Sequence, residues 1–171
     1  RQGGTVKNQR LASELAIEIQ AFLDQQGSLM LAVVDAQGAP IASYAPYVVL
    51  DDEFYILVSR LAQHTEALEQ ALNASVLIIE DEASSDTVYA RKRLQYEVSV
   101  SMIQRESASW SSVGDLLVKR HGEVASQLLS LGDFLMFQLS PVKGRFVKGF
   151  GRAYELAPNT LVSDQLDHLR G

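Results

Sequence analysis

Two short polar turns do most to limit what this chain can become. Asp35-Ala36-Gln37-Gly38 separates an apolar run, Ser28–Val34, from a second run, Ile41–Leu50. Asp51-Asp52-Glu53 then separates that run from a third, which begins at Phe54. Connections this short join antiparallel strands, because a parallel crossover needs a dozen residues or more. Pro46 lies inside the second run; without an N–H it marks a bulge or an edge. Further along, Leu94, Tyr96, Val98 and Val100 alternate with Arg93, Gln95, Glu97 and Ser99, which predicts a long strand over Val88–Met102. Phe134–Leu139 and Gly144–Leu156 read as closing strands.

Helical spacing appears at Leu11, Leu15, Ile19 and Phe22, halted by Asp24-Gln25-Gln26-Gly27. Ser107–Lys119 and Glu123–Leu131 also read as helices, divided by Arg120-His121-Gly122. A final short helix is expected from Asn159-Thr160 through Leu169. Helices thus fall irregularly among about six strands, which fits a mainly β, α+β chain: a small antiparallel barrel with peripheral helices rather than a doubly wound parallel sheet.

A chain of 171 residues is expected to form one domain, here 11–171, with residues 1–10 a disordered or vector-derived N-terminus. No run of about 18 apolar residues exists, so no membrane span or membrane partner is expected. The N-terminus lacks the apolar stretch of a secretion signal, and a cytoplasmic location is the simplest expectation. Zero cysteines exclude disulfides, thiolate nucleophiles, iron–sulfur clusters and cysteine-based zinc sites. A net charge of −6 argues against nucleic acid as the main partner.

The chemistry-bearing residues concentrate in a few places. Between the apolar runs Phe54–Val58 and Ser75–Ile79 stand Ser59-Arg60 and His64-Thr65-Glu66, which read as a strand, a polar corner and a helix start. A hydroxyl, a guanidinium and an imidazole beside free helix N–H groups suit a phosphate or carboxylate. The same residue types also serve as caps and solvated surface. Arg91-Lys92-Arg93 is a basic run in an acidic protein, which would protect an exposed strand edge or meet an acidic ligand. Asp133, in LGDFLMF, reads as a turn residue or as a functional carboxylate. Tyr44, Tyr47 and Trp110 would stack on a planar ligand or fill the core. Gly149 and Gly151 predict a bulge, and His121 a solvated helix terminus. There is no nucleophile elbow, HExxH or P-loop.

The strings VVDAQGAPIASYAPYV, SRLAQHTEAL, SVLIIEDE, ARKRL, LGDFLMFQLSP and GRFVKGFGRAYEL, in this order, resemble the HugZ/HutZ-type haem utilisation proteins. These belong to the pyridoxamine-5′-phosphate-oxidase-like, FMN-binding split-barrel superfamily. The resemblance runs from Leu11 to Gly171. It implies a six-stranded split barrel, a homodimer and a ligand site at the dimer interface. The ligand is FMN in flavin-binding relatives. In the haem branch it is haem, which some members open oxidatively with electrons from a donor that the sequence does not identify.

The resemblance also assigns roles. Ser59, Arg60, His64 and Thr65 lie where flavin-binding relatives hold the FMN phosphate. Those relatives carry a lysine where this chain has Leu61, and an arginine on the preceding strand where it has Ser43. Two missing charge-assisted bonds would cost about a hundredfold or more in FMN affinity. Arg93 corresponds to the distal polar residue of the haem branch, with Arg91 and Lys92 as cations near the propionates. Asp133 corresponds to the aspartate that hydrogen-bonds the haem-ligating histidine, across the dimer. The axial histidine belongs to a C-terminal HLxxGH string, whose first histidine His168, in DHLRG, matches; the ligating one is expected immediately beyond Gly171, unless His168 substitutes for it or this member does not ligate haem in this way. Three functions are therefore expected in order: a haem-binding and haem-degrading protein of iron acquisition, an FMN-dependent oxidoreductase, and a non-catalytic haem carrier or store.

Overall fold

The computed structural model describes residues 2–162 and 166–169, with side chains over 9–162. Strands β1 (Ser28–Val34) and β2 (Pro40–Leu50) form a hairpin whose turn is written locally. Asp35 Oδ1 accepts the N–H groups of Gln37 and Ala39 at 2.9 and 2.8 Å, and Gly38 takes φ +82°. Asp51 and Asp52 both adopt positive φ, 51° and 62°, the handedness a tight hairpin needs before β3 (Glu53–Ser59). Residues 40–46 of β2 pair with β1 and residues 47–50 with β3. Pro46 therefore sits where the strand passes from one neighbour to the other, so its missing N–H interrupts neither ladder.

The remaining strands close the barrel. Strand β4 (Asn73–Ile79) pairs with β1 and with β5 (Arg93–Ile103). The long β6 (Phe134–Gly149) runs beside β5, and its first residues pair with β3. Every pairing is antiparallel, and the order β3-β2-β1-β4-β5-β6 returns to β3. This is the six-stranded barrel expected. From the far end of β6, β7 (Arg152–Leu156) and β8 (Leu166–Leu169) extend the sheet outward.

Inside the barrel, Tyr47, Phe54 and Tyr96 pack edge to face at 5.3 Å. The buried phenols find carbonyl acceptors: Tyr47 Oη donates to Leu23 O and Tyr96 Oη to Leu161 O. Helix α1 (Gln2–Gln25) buries the stripe Leu15, Ile19, Phe22 and Leu23 in this core. Helix α2 (Gln63–Gln70) follows β3. Helices α3 (Ala108–His121) and α4 (Glu123–Leu129) bury a smaller core of Val48, Tyr55, Val113, Leu117 and Met136. Among the described residues no helix is long and apolar enough to cross a membrane.

Several expectations change. The first helix starts at Gln2 rather than Leu11. The strand expected from Val88 begins at Arg93; Val88–Ala90 forms a 3-10 turn instead, capped by Thr87. The two closing strands are one continuous β6, then β7. The final helix is not formed at Leu166–Leu169, which pairs with β7 as a strand. Gly149 does mark a bulge, and Gly151 takes φ +67° at the hairpin tip. His121 is half-buried rather than solvated, with Nε2 donating to Tyr47 O at 2.8 Å.

Candidate functional site: a polar corner, a basic strand end and an apolar outer face

The corner between β3 and α2 brings together Ser59, Arg60, His64 and Thr65, then ties most of them inward. Thr65 is fully buried and its Oγ1 donates to Ser59 O at 2.5 Å. Ser59 Oγ accepts the N–H of Leu61 at 3.2 Å. His64 is 8% exposed, and its Nδ1 shares a hydrogen bond with Ser43 Oγ across the sheet. Burial holds the His64 imidazole below its ordinary value, so the ring is neutral at pH 7. Arg60 alone of the four is exposed, and its guanidinium has no partner among the described residues. Beside it, Leu61 is 87% exposed where a second cation would serve a phosphate. The corner thus offers an anion one free charge.

The basic run lies at the start of β5, which is an interior strand between β4 and β6, so edge protection does not explain it. Arg91 donates from Nε to Glu80 O at 3.0 Å and pairs with Glu82 at 3.7 Å. Lys92 Nζ stands 3.5 Å from Glu18 Oε1, and Lys148 Nζ 2.8 Å from Glu18 Oε2. Two of the three cations therefore brace the chain before β5 and fasten it to α1. Arg93 differs: one guanidinium nitrogen donates to Arg91 O at 3.0 Å, and its other donors have no partner among the described residues.

Beside Arg93 spreads the outer face of the barrel. Strand register sets Tyr44, Met30, Leu77, Gln95, Arg145 and Glu155 in one row across six strands. The next row is Ala42, Ala32, Ser75, Glu97 and Lys143. Met30 is 52% and Tyr44 64% exposed, and the two rows border a shallow depression of about 540 Å³. Charge lies at one side and apolar surface at the other. Arg93 stands two residues from Gln95 on the same strand face, one row from Leu77 and Met30.

Asp133 forms part of the turn before β6, exposed, with a carboxylate that has no partner among the described residues. Its carbonyl accepts the N–H of Arg60 at 2.7 Å, which joins it to the polar corner. Arg93 is elsewhere. Ser59 stands across from Phe134 and Arg93 across from Val147, at opposite ends of β6. Within one chain, then, Asp133 and Arg60 make one cluster and Arg93 another. The Arg93 row continues through Val147 and Ala153 to Leu169 on β8, three strands or about 14 Å away. His168 occupies the register position opposite Tyr154; its side chain lies outside the described residues. No cluster of three metal-ligating groups occurs among the described residues.

Apart from Tyr44, the residues of the outer face were not singled out by sequence reasoning, and neither was the Ser43–His64 bond. Alternation in SLMLAVV placed Met30 and Ala32 on one side of β1, and that was the available signal for the face. Ser43 stands out in the sequence only as the position where flavin-binding relatives carry an arginine; its bond to His64 comes from the packing of α2 against β2, which spacing does not disclose. Of the three aromatic residues considered for stacking, Tyr47 is core, Trp110 lies under Arg105 at 4.5 Å, and Tyr44 is on the outer face.

The sequence profile of the pyridoxamine 5′-phosphate oxidase family matches residues 15–148. Over 157 residues the chain is 41% identical to haem oxygenase HutZ of Vibrio cholerae serotype O1, spanning 92% of this chain and 89% of that protein. A crystal structure of Vibrio cholerae HutZ, there described as a haem storage protein, superposes with a TM-score of 0.75 at 42% identity, covering 78% of this chain and 94% of that one. Campylobacter jejuni ChuZ superposes with a TM-score of 0.80 at 30% identity, covering 93% of this chain and 66% of that one.

Proposed function

Because this chain belongs to the pyridoxamine 5′-phosphate oxidase family and within it resembles HutZ over most of its length, we propose that it is a cytoplasmic haem-binding protein of iron utilisation, acting as a homodimer. The observation that carries this reading is the open guanidinium of Arg93 beside the exposed apolar rows of the outer face. A flat tetrapyrrole with two carboxylates needs both: apolar surface to leave water and cations at its acidic edge. The residues fit that group. Arg93 and the exposed Arg145 supply charge, and Met30, Leu77 and Tyr44 supply apolar surface.

The arrangement of β6 supports a second copy. With Asp133 at one end and Arg93 at the other, a single chain presents two half-sites. Two copies meeting through the outer face bring the Asp133 turn of one toward the Arg93 end of the other. Arg93 would hold a carboxylate of the haem or offer the bound group a hydrogen bond. The Asp133 carboxylate would accept a hydrogen bond from the ring N–H of the ligating imidazole and fix its orientation. His168 is the ligand of this reading; β8 carries it opposite Tyr154, one residue before the Leu169 position that ends the Arg93 row. Arg91 and Lys92 act by holding the strand end in place. When bound, haem supplies the iron and the redox chemistry; ring opening needs an external electron donor, and storage needs none.

FMN has less support. The corner keeps Arg60 as its free charge while Ser59, His64 and Thr65 are engaged within the fold. Titration with haem is expected to give a saturable Soret band, and titration with FMN no comparable binding. Arg93→Ala is expected to weaken haem about tenfold to a hundredfold, the worth of one charge-assisted bond. Tight FMN binding lost on Arg60→Ala, with Arg93→Ala silent, would replace this reading by the flavin one. Loss of the Soret band under reductant and oxygen distinguishes a degrading enzyme from a carrier.

A further inference from the structure

One arginine outside both clusters is placed to act on the site. Arg105 lies between β5 and α3, and its guanidinium reaches three carbonyls of the segment that carries Asp133. Nη1 donates to Leu129 O at 3.1 Å, at the last residue of α4. Nη2 donates to Leu131 O at 2.9 Å and to Phe134 O at 2.7 Å. The guanidinium lies over the Trp110 ring, 4.5 Å from its centre. Trp110 is itself fixed at the start of α3, where its N–H donates to Ser107 Oγ at 3.1 Å.

Asp133 is therefore held from two sides. Leu131 and Phe134, which flank it, are held by Arg105, and Phe134 N–H also closes the turn on Leu131 O at 3.3 Å. Its own carbonyl is held by Arg60 N–H at 2.7 Å. Its carboxylate is left without a partner among the described residues. An exposed turn that had only to connect α4 to β6 could leave these carbonyls to water. Here a planar fork satisfies three of them while stacked on an indole, a combination that a lysine cannot reproduce. The result is a free acceptor on a fixed mount.

We propose that Arg105 is a positioning residue that sets the Asp133 carboxylate for the ligating imidazole of the second copy. The assignment rests on the haem-binding reading above and on the part given there to Asp133. It also separates two uses of an arginine in this protein. Arg93 faces the ligand directly, whereas Arg105 acts only through the turn.

A double-mutant cycle tests it, with haem affinity and the position and width of the Soret band as readouts. Asp133→Asn and Arg105→Gln are each expected to weaken haem about tenfold and to alter the Soret band. Together they should weaken it no more than Asp133→Asn alone, because the arginine has nothing left to position. Arg105→Lys, keeping one donor, should recover part of the loss. Thermal melts of the ligand-free variants report any purely structural effect, which should be equal in both backgrounds. If Arg105→Gln does not fold, Trp110→Leu takes its place in the cycle, loosening the guanidinium while leaving its donors. Additive losses, or unchanged affinity and spectrum in the Arg105 variants, would overturn the proposal while leaving the Asp133 reading intact. An Asp133→Asn variant identical to the parent in affinity and spectrum would remove Asp133 from the site, and the proposal with it.

Discussion

Met30→Asp is expected to run as a monomer at concentrations where the parent runs as a dimer, and to bind haem at least a hundredfold more weakly. Met30 stands at the centre of the row Tyr44–Met30–Leu77 and is 52% exposed in the single chain. Its side chain contributes little to the barrel core, so the fold of the single chain itself should lose no more than about 1 kcal/mol. At a desolvated interface between two copies the same carboxylate lacks a countercharge, and burying it costs several kcal/mol, applied twice because the contact is symmetric. Haem affinity falls with it if, as proposed, each groove takes residues from both copies. Ile17→Asp is the control: Ile17 is 72% exposed on α1 and lies in neither row of the outer face, so it should change neither property. Light scattering on the eluting protein and a haem titration read both results. A dimer that survives Met30→Asp would place the contact on another surface.

The largest loss of stability is expected from Arg120→Ala, about 3 kcal/mol. The guanidinium closes the C-terminal end of α1, donating to Leu23 O at 2.8 Å, Asp24 O at 3.3 Å and Gln26 O at 2.6 Å. It also donates to Tyr47 O at 3.3 Å and lies over the Tyr47 ring, 4.7 Å from its centre. The last carbonyls of a helix have no partner within it, and here one side chain supplies several. Tyr47 shares this node: burial, partly offset by Arg120, pushes its phenol up to about 12, so it stays a donor to Leu23 O at any working pH. Bonds to a charged donor are worth roughly 1.5–3 kcal/mol each, but these share one group and do not add. Arg120→Lys should recover less than half. The check is a urea midpoint shift with unchanged slope. A loss under about 1 kcal/mol would mean that water serves the carbonyls equally well.

What the chain discloses in advance is what it decides locally. The Asp35 and Asp51 turns, the alternation from Arg93 to Val100 and the helix opening at Ser107 depend on near neighbours, and the barrel follows from the turns and strands. The start of β5 does not, because Arg91 and Glu80, eleven positions apart, hold the preceding chain away from the sheet. The unbroken run of β6 through Pro141 was also hidden. Pro141 lies opposite Val98, where the register with β5 shifts, so its missing donor falls at an irregularity that only the pairing reveals. The polar corner shows the same boundary. Spacing brought Ser59, Arg60, His64 and Thr65 together correctly. Whether they face a ligand or one another depended on Ser43, which another strand supplies. Sequence spacing likewise gave no measure of the distance between Asp133 and Arg93.

That distance has a genetic meaning. If every groove takes its carboxylate from one chain and its guanidinium from the other, defects in the two residues complement each other. A protein carrying Asp133→Asn in both copies has two damaged grooves, as does one carrying Arg93→Ala. Unfolded together and refolded, the two proteins exchange chains. Each mixed pair then holds one groove with both defects and one groove with none. Haem binding of near-parental affinity should reappear at one site per mixed dimer, half the parental number, from two variants that each bind weakly, because under that arrangement a sixteen-residue strand runs from one groove to the other.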